Sequence, residues 1–165
     1  MRFLALTIAT AMIVGCSAVA PGDGPVLPVE SDGSIGDGNS RPMLSPMTYD
    51  ELSKAIEAGT GCLFIARGNE DPIFAASAPD SGKIAGKGAI KINKNIVTLT
   101  HNGFGIAQVE AGGVFTNEAV LVRIEHPGGK PSTAQEDTYF WPAVLKIDQD
   151  EGGSNRYDGI YECGG

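Results

Sequence analysis

The sequence is short of the residues on which most hydrolytic enzymes depend. Only two histidines, His101 and His126, occur among its 165 residues, and neither belongs to a Gly-x-Ser-x-Gly or His-Glu-x-x-His motif. Gly86 and Gly88 lie in a glycine-rich stretch, but no Lys-Ser/Thr pair follows it as a phosphate-binding loop requires. We therefore expect a protein that is not an enzyme and holds no cofactor, with both histidines at its surface.

Positive charge is also scarce. Lysine and arginine number 12 against 20 aspartate and glutamate residues, for a formal net charge of -8, and this balance argues against binding to nucleic acid. Four lysines nevertheless gather in one short stretch: Lys83, Lys87, Lys91 and Lys94. Two interpretations stay open, a patch for an anionic partner and a set of edge-strand lysines that prevent sheets from pairing.

A long hydrophobic run is missing as well. The apolar stretch from Phe3 to Val14 is shorter than the roughly 20 residues of a membrane-spanning helix and has the length of a signal-peptide core. An ordinary signal peptidase could cut after Ala20, in the small-residue sequence Ala18-Val19-Ala20. That cut would break an Ala-Pro bond to Pro21, a tertiary amide that fits badly in an extended protease site.

The end of the apolar run offers a second cleavage site. Ile13-Val14-Gly15-Cys16 resembles the lipobox of bacterial lipoproteins. The resemblance implies a signal peptide over residues 1–15 and acyl chains on Cys16, which would become the first residue of the mature protein and hold it at a lipid bilayer. Because Ser17 follows the cysteine, the resemblance further implies the outer membrane, with the protein facing the periplasm or the surface.

The cysteine count is odd. Once Cys16 is assigned to lipid, Cys62 and Cys163 remain as a pair, and an exported protein works in an oxidising compartment where disulfides persist. We predict a disulfide between them. Two separate buried thiols are the alternative.

Two regions follow the predicted anchor. Residues 16–46 are rich in proline, glycine, serine and aspartate without hydrophobic periodicity, which predicts a flexible tether. Residues 47–165 carry the folded domain. Thr48 and Glu51 have the spacing of a capping box, so we expect one short helix from Tyr49 to Ala58 that ends at Gly59.

Beyond this helix the chain consists of short β-prone runs separated by glycine, asparagine and proline, among them FGIAQVE and EAVLVRIEH. This spacing predicts a mainly β fold, a small antiparallel meander closing as a barrel or a sandwich. Turns are expected at Asn93-Lys94-Asn95, at Asn102-Gly103 and at Gly152-Gly153-Ser154-Asn155. Pro142 predicts an edge position or a bulge, and the stretch from His126 to Thr138 a surface loop suited to recognition.

Carboxylates near the C-terminus raise the question of a calcium site. Asp148, Asp150 and Asp158 supply hard oxygen ligands, but Gly152 and Gly159 occupy positions where an EF-hand loop needs ligands. A solvated turn whose carboxylates aid solubility is the preferred interpretation, so we expect no metal site, with calcium at these three aspartates as the alternative.

The outline of the domain is similar to membrane-bound inhibitors of C-type lysozyme. The similarity covers Cys62, the strand from Trp141 to Leu145 and the closing Tyr161-x-Cys163. The inhibitory Ser-Gly-x-x-Tyr loop of that family has a counterpart only in Ser81-Gly82-Lys83-Ile84-Ala85, which lacks the tyrosine. We therefore expect an envelope protein that binds or scaffolds a partner such as a protein or a glycan, with inhibition of a lysozyme-like or other hydrolase as the alternative.

Overall fold

A computed structural model describes residues 41–56, 60–128, 131–135, 137–150 and 152–164. These residues form two short helices and nine strands, of which all neighbouring pairs are antiparallel. In chain order the elements are α1 (Tyr49–Ala55), β1 (Gly61–Ala66), β2 (Phe74–Ser77), β3 (Ala85–Ile92), β4 (Asn95–Phe104), α2 (Ile106–Glu110), β5 (Gly113–Thr116), β6 (Val120–Glu125), β7 (Ser132–Gln135), β8 (Thr138–Gln149) and β9 (Ser154–Gly164).

Eight of the strands close into a barrel. Strands β1 to β6 pair in sequence order, β6 pairs with β8, β8 with β9, and β9 returns to β1. Strand β7 pairs only with the first residues of β8 and lies outside the closed ring. The prediction of a mainly β antiparallel meander with a short helix before it is confirmed, and the pairing of β1 with β9 makes it a barrel rather than a sandwich.

The barrel interior is filled by side chains. Inward residues alternate with outward ones, and the largest buried side chains include Phe64, Phe74, Phe115 and Tyr161. Eight strands enclose a space just wide enough for side chains to fill. Phe74 and Phe115 meet edge to face, with ring centroids 4.8 Å apart, directly over Gly88, where a Cβ would lie only 2.9 Å from the Phe115 ring. The glycines of this stretch therefore serve close packing.

The predicted disulfide is confirmed. Cys62 on β1 and Cys163 on β9 are direct cross-strand partners, bonded within the barrel interior and 101 residues apart in sequence. The bond joins the first and last strands at the seam where the barrel closes. Closing a loop of this length restricts the unfolded chain by about 4.7 kcal/mol in the chain-entropy model.

A segment that we call the strap, residues 41–47, covers one end of the barrel. The backbone N–H of Leu44 donates to the Tyr157 hydroxyl over 2.9 Å, and the Asn155 amide donates to the Pro42 carbonyl over 3.2 Å. Leu44 is buried and forms a bridge with Ile92. The last residues of the predicted tether thus pack against the barrel, so the folded part begins before Met47.

Helix α1 lies on the outer surface of the barrel. Its capping box forms as predicted: Glu51 N–H donates to the Thr48 hydroxyl, and Thr48 N–H donates to the Glu51 carboxylate. Leu52 packs with Met47 and Ala75 in a small cluster separate from the barrel interior. The helix ends at Ala55, earlier than the predicted Ala58, because Ile56 adopts an extended backbone.

The hairpin turn at Asn93-Lys94 is confirmed. Both residues have positive φ, at 49° and 71°, and they join β3 to β4 as a two-residue turn. The turn predicted at Asn102-Gly103 is wrong, because β4 continues to Phe104. In the run FGIAQVE, predicted as a strand, Ile106 to Glu110 form α2, and the chain leaves the sheet at Gly105, which has a φ of 76°.

Two predictions about β7 and β8 are settled by the pairing. The stretch from His126 to Thr138 is not entirely a loop, because Ser132 to Gln135 form β7. Pro142 lies between the part of β8 that pairs with β7 and the part that pairs with β6, so none of the described strands pairs with β8 on that side there. The missing N–H of proline therefore falls at a local edge, as predicted.

Within the described residues, no helix is long and apolar enough to cross a membrane. The predicted signal peptide, Cys16 and most of the predicted tether lie outside these residues.

Candidate functional site at the plug end of the barrel

Helix α2 closes the end of the barrel opposite the strap, and we call it the plug. Its Val109 is fully buried beside Gly86, where any Cβ would overlap the valine side chain. The Tyr161 hydroxyl donates to the Val109 carbonyl over 2.7 Å. Burial, and to a lesser degree the nearby Glu110 charge, raise the pKa of Tyr161 far above its ordinary value. The plug is thus held to the barrel interior by packing and by a buried hydrogen bond.

His101 is buried, so its prediction as a surface residue is wrong. Its Nδ1 accepts a hydrogen bond from the Gly103 N–H at 2.9 Å, and its Nε2 lies 2.9 Å from the Gly112 carbonyl oxygen, to which it donates. The ring packs against Phe115 with centroids 4.5 Å apart. Both nitrogens therefore bind backbone groups that flank the plug.

His126 has a related role on the other side of the plug and is half-buried. Its Nε2 lies 3.2 Å from the Glu110 carbonyl oxygen, its Nδ1 accepts from the Gly128 N–H at 3.2 Å, and its ring packs on Trp141 with centroids 4.9 Å apart. Both histidines contact the backbone at or next to α2, so their observed contacts are those of side chains that position the plug.

An exposed apolar surface lies beside the plug. Ile84 and Phe104 are 54% and 58% exposed, large values for residues of their size, and they are adjacent because Phe104 pairs with Ala85 across the β3–β4 hairpin. The Gly105 N–H donates to the Ile84 carbonyl over 2.9 Å, which fastens the two segments together. We call this surface, together with the exposed Lys83, the tip.

The four lysines do not form one patch. Lys83 is at the tip, Lys94 is in the turn at the opposite end of β3, and at about 3.3 Å per residue they are roughly 30 Å apart. Lys91 pairs with Glu51 of α1 and lowers the pKa of that carboxyl through this hydrogen bond. The edge-strand interpretation is wrong, since β3 is paired on both sides, by β2 and by β4.

The three calcium candidates are not brought together. Asp148 is opposite Ser154, whereas Asp158 is opposite Val144, four residues away along β8 and therefore about 13 Å distant. Asp158 is bound instead to Arg156, with 2.9 Å between Oδ1 and a guanidinium nitrogen. Across the part of the chain that the structure describes, no group of three or more histidine, cysteine or acidic residues could hold a metal ion.

Sequence reasoning missed the tip. Ile84 and Phe104 are apolar residues of β-prone runs, for which the sequence predicts a buried position. Their exposure depends on where β3 begins and on the departure of the chain into α2 at Gly105. The only local signal was a glycine directly after Phe104.

Comparison with known families identifies the family of this chain. A family model described as a domain of unknown function (DUF6692) matches residues 40–165. The chain belongs to this family. The DUF6692 match begins one residue before the strap, so it covers both ends of the barrel as well as all nine strands. No curated protein and no solved structure matches the chain.

Proposed function

We propose that this DUF6692 protein is a lipid-anchored protein of the bacterial cell envelope, held in the outer membrane and facing the periplasm or the surface. In this proposal Cys16 carries the acyl chains, and the barrel binds or scaffolds another envelope component without catalysing a reaction. The partner is a protein or a glycan.

The observation that carries the proposal is the difference between the two ends of the barrel. The chain enters the fold through the strap, pinned by Asn155 and Tyr157 at one end. The tip, with exposed Ile84 and Phe104, lies at the other end. Exposed apolar side chains grouped on one surface are typical of interaction sites, and this one lies at the end of the barrel opposite the strap, where the chain from the anchor enters.

The anchor is tested by the intact mass of protein extracted from membranes. We expect a chain that begins at Cys16 and carries three acyl chains, and we expect Cys16→Ser protein to lose both the acyl mass and incorporated radioactive palmitate. A mature chain that begins at Pro21 would contradict the anchor and leave the barrel unaffected.

The binding role of the tip is tested by crosslinking in living cells. A photoreactive amino acid at position 104 should form a defined adduct, and the same amino acid at position 94, in the exposed turn at the opposite end, is the matched control. Combined Ile84→Ser and Phe104→Ser substitutions should weaken partner binding without lowering stability. An equal adduct at both positions, or none at 104, would contradict a binding tip.

Inhibition of a hydrolase is the second candidate function. Ser81 to Ile84 form an exposed turn at the tip, with the Lys83 N–H donating to the Ser81 carbonyl. Glycoside hydrolases use a pair of carboxylates in their clefts, which a protruding lysine complements in charge. Titration against C-type lysozyme tests this: we expect loss of activity with wild-type protein and Lys94→Glu, and recovery with Lys83→Glu. Full lysozyme activity at micromolar excess removes this function.

A further inference from the structure

A groove runs between α1 and the outer face of the barrel. It encloses about 300 Å³. Helix α1 supplies one wall, and strands β1 and β9 supply the floor. The main lining residues are Tyr49, Leu52, Ser53, Ile56, Leu63 and Glu162. We call it the outer groove.

Among the described residues that line the outer groove, Glu162 is the only charged one. Its direct cross-strand neighbours are both apolar, Leu63 on β1 and Phe140 on β8. Two residues earlier on the same face of β9, Ile160 is 45% exposed. The carboxylate therefore has an apolar neighbour on each adjacent strand.

Three other carboxylates in the described part of the chain have basic partners. Glu125 pairs with Lys146 at 2.8 Å, Asp158 with Arg156 at 2.9 Å, and Glu51 with Lys91. The ion pairs formed within the described residues leave Glu162 out. A carboxylate at the edge of an apolar groove complements a cation that brings its own apolar group.

The size of the apolar surface favours a small ligand. Beyond the groove the apolar surface continues through one more cross-strand row, which consists of Ile65, Ile160 and Pro142. It ends at the ion pair between Asp158 and Arg156. A stable protein interface buries about 800 Å² on each partner, whereas small-molecule sites begin near 300 Å³. Residues 17–40 of the chain itself are not a suitable occupant of the groove, since they contain carboxylates and no lysine or arginine that could pair with Glu162.

We propose that the outer groove binds a cationic amphiphile, a small molecule with one ammonium group on an alkyl chain. The ammonium group forms a charge-assisted hydrogen bond with the Glu162 carboxylate. The alkyl chain lies along Leu52, Ile56 and Leu63, and its removal from water supplies most of the affinity. This site is independent of the tip and of the lipid anchor.

The test uses residues 17–165, which retain every element of the barrel, with octylammonium as the probe and octanol and octanoate as matched ligands. Binding is followed by the backbone amide signals of Leu63, Glu162 and Ile56 in NMR titrations. We expect saturable shifts at these residues, with octylammonium bound about tenfold more tightly than octanol, the ratio typical of one charge-assisted hydrogen bond. Octanoate should bind more weakly than octanol.

Three variants separate charge from shape. Glu162→Gln should make octylammonium and octanol bind equally, whereas Glu125→Gln, a control on the same outer surface, should leave the preference unchanged. Ser53→Trp should fill the groove and weaken the binding of both ligands, because Ser53 is one of the lining residues. The variant should still fold, since Ser53 is exposed and contributes little to packing. Equal binding of octanol and octylammonium to the wild type, or shifts that map elsewhere, would overturn the proposal.

Discussion

Cys62 and Cys163 face each other across β1 and β9 with their Cα atoms 4.1 Å apart, at the seam where the first and last strands close the barrel. Replacement of both by alanine should lower the free energy of unfolding by about 3–5 kcal/mol, because the unfolded chain regains the freedom that the cross-link removes. Urea denaturation measures this difference. Wild-type protein with its disulfide reduced is the control and should lose a similar amount; a loss below about 1 kcal/mol in both would contradict the role of the bond.

Gly86 lies under the plug without room for a side chain. Gly86→Ala should lower the free energy of unfolding by about 1–3 kcal/mol, since the new methyl group displaces Val109 from its buried position. Gly82→Ala is the matched control, because nothing lies within 4 Å of its Cβ position. Thermal unfolding of both variants gives the comparison, and equal melting temperatures would show that the plug adjusts without cost.

The buried Tyr161 predicts a loss of stability at alkaline pH. Its pKa is raised in the folded state by burial, whereas in the unfolded chain it ionises near its ordinary value of 10.0. Above that value the unfolded state loses a proton that the folded state keeps, so stability falls as pH rises. Tyr161→Phe should reduce this alkaline fall while costing about 1 kcal/mol at pH 7, where the Val109 carbonyl loses its donor.

Urea denaturation of the Tyr161→Phe and wild-type proteins between pH 7 and about pH 11 measures both effects. An identical pH dependence in the two proteins would contradict the assignment to Tyr161.

The two histidines should differ in their contribution to stability. His101→Phe keeps the volume of a buried ring but breaks its bonds to Gly103 and Gly112, and should cost about 2–4 kcal/mol. His126→Phe should cost about 1 kcal/mol or less, because water can replace the contacts of a half-buried side chain. If chemical denaturation showed that both variants lose the same free energy of unfolding, the difference in exposure between His101 and His126 would not determine their contributions to stability.

Local chemistry was a good guide to some elements. The capping box of Thr48 and Glu51 and the Asn93-Lys94 turn were both predicted, since each depends on residues only a few positions apart. Ile106 to Glu110 were predicted as a strand, although they form a helix. Val109 packs under the barrel end with Gly86 and Tyr161, and these distant contacts outweigh the β propensity of a short segment.

The candidate sites follow the same division. The short β-prone runs predicted a β domain, and the three cysteines predicted the disulfide once Cys16 was assigned to lipid, because both features are read along the chain. The tip, the plug and the outer groove bring together residues from separate strands, such as Leu63 and Glu162 from the first and last strands. Residues of the first and last strands become neighbours only when the barrel closes. The register of the paired strands then sets which side chains share a face, and this register cannot be read directly from the order of residues in the chain.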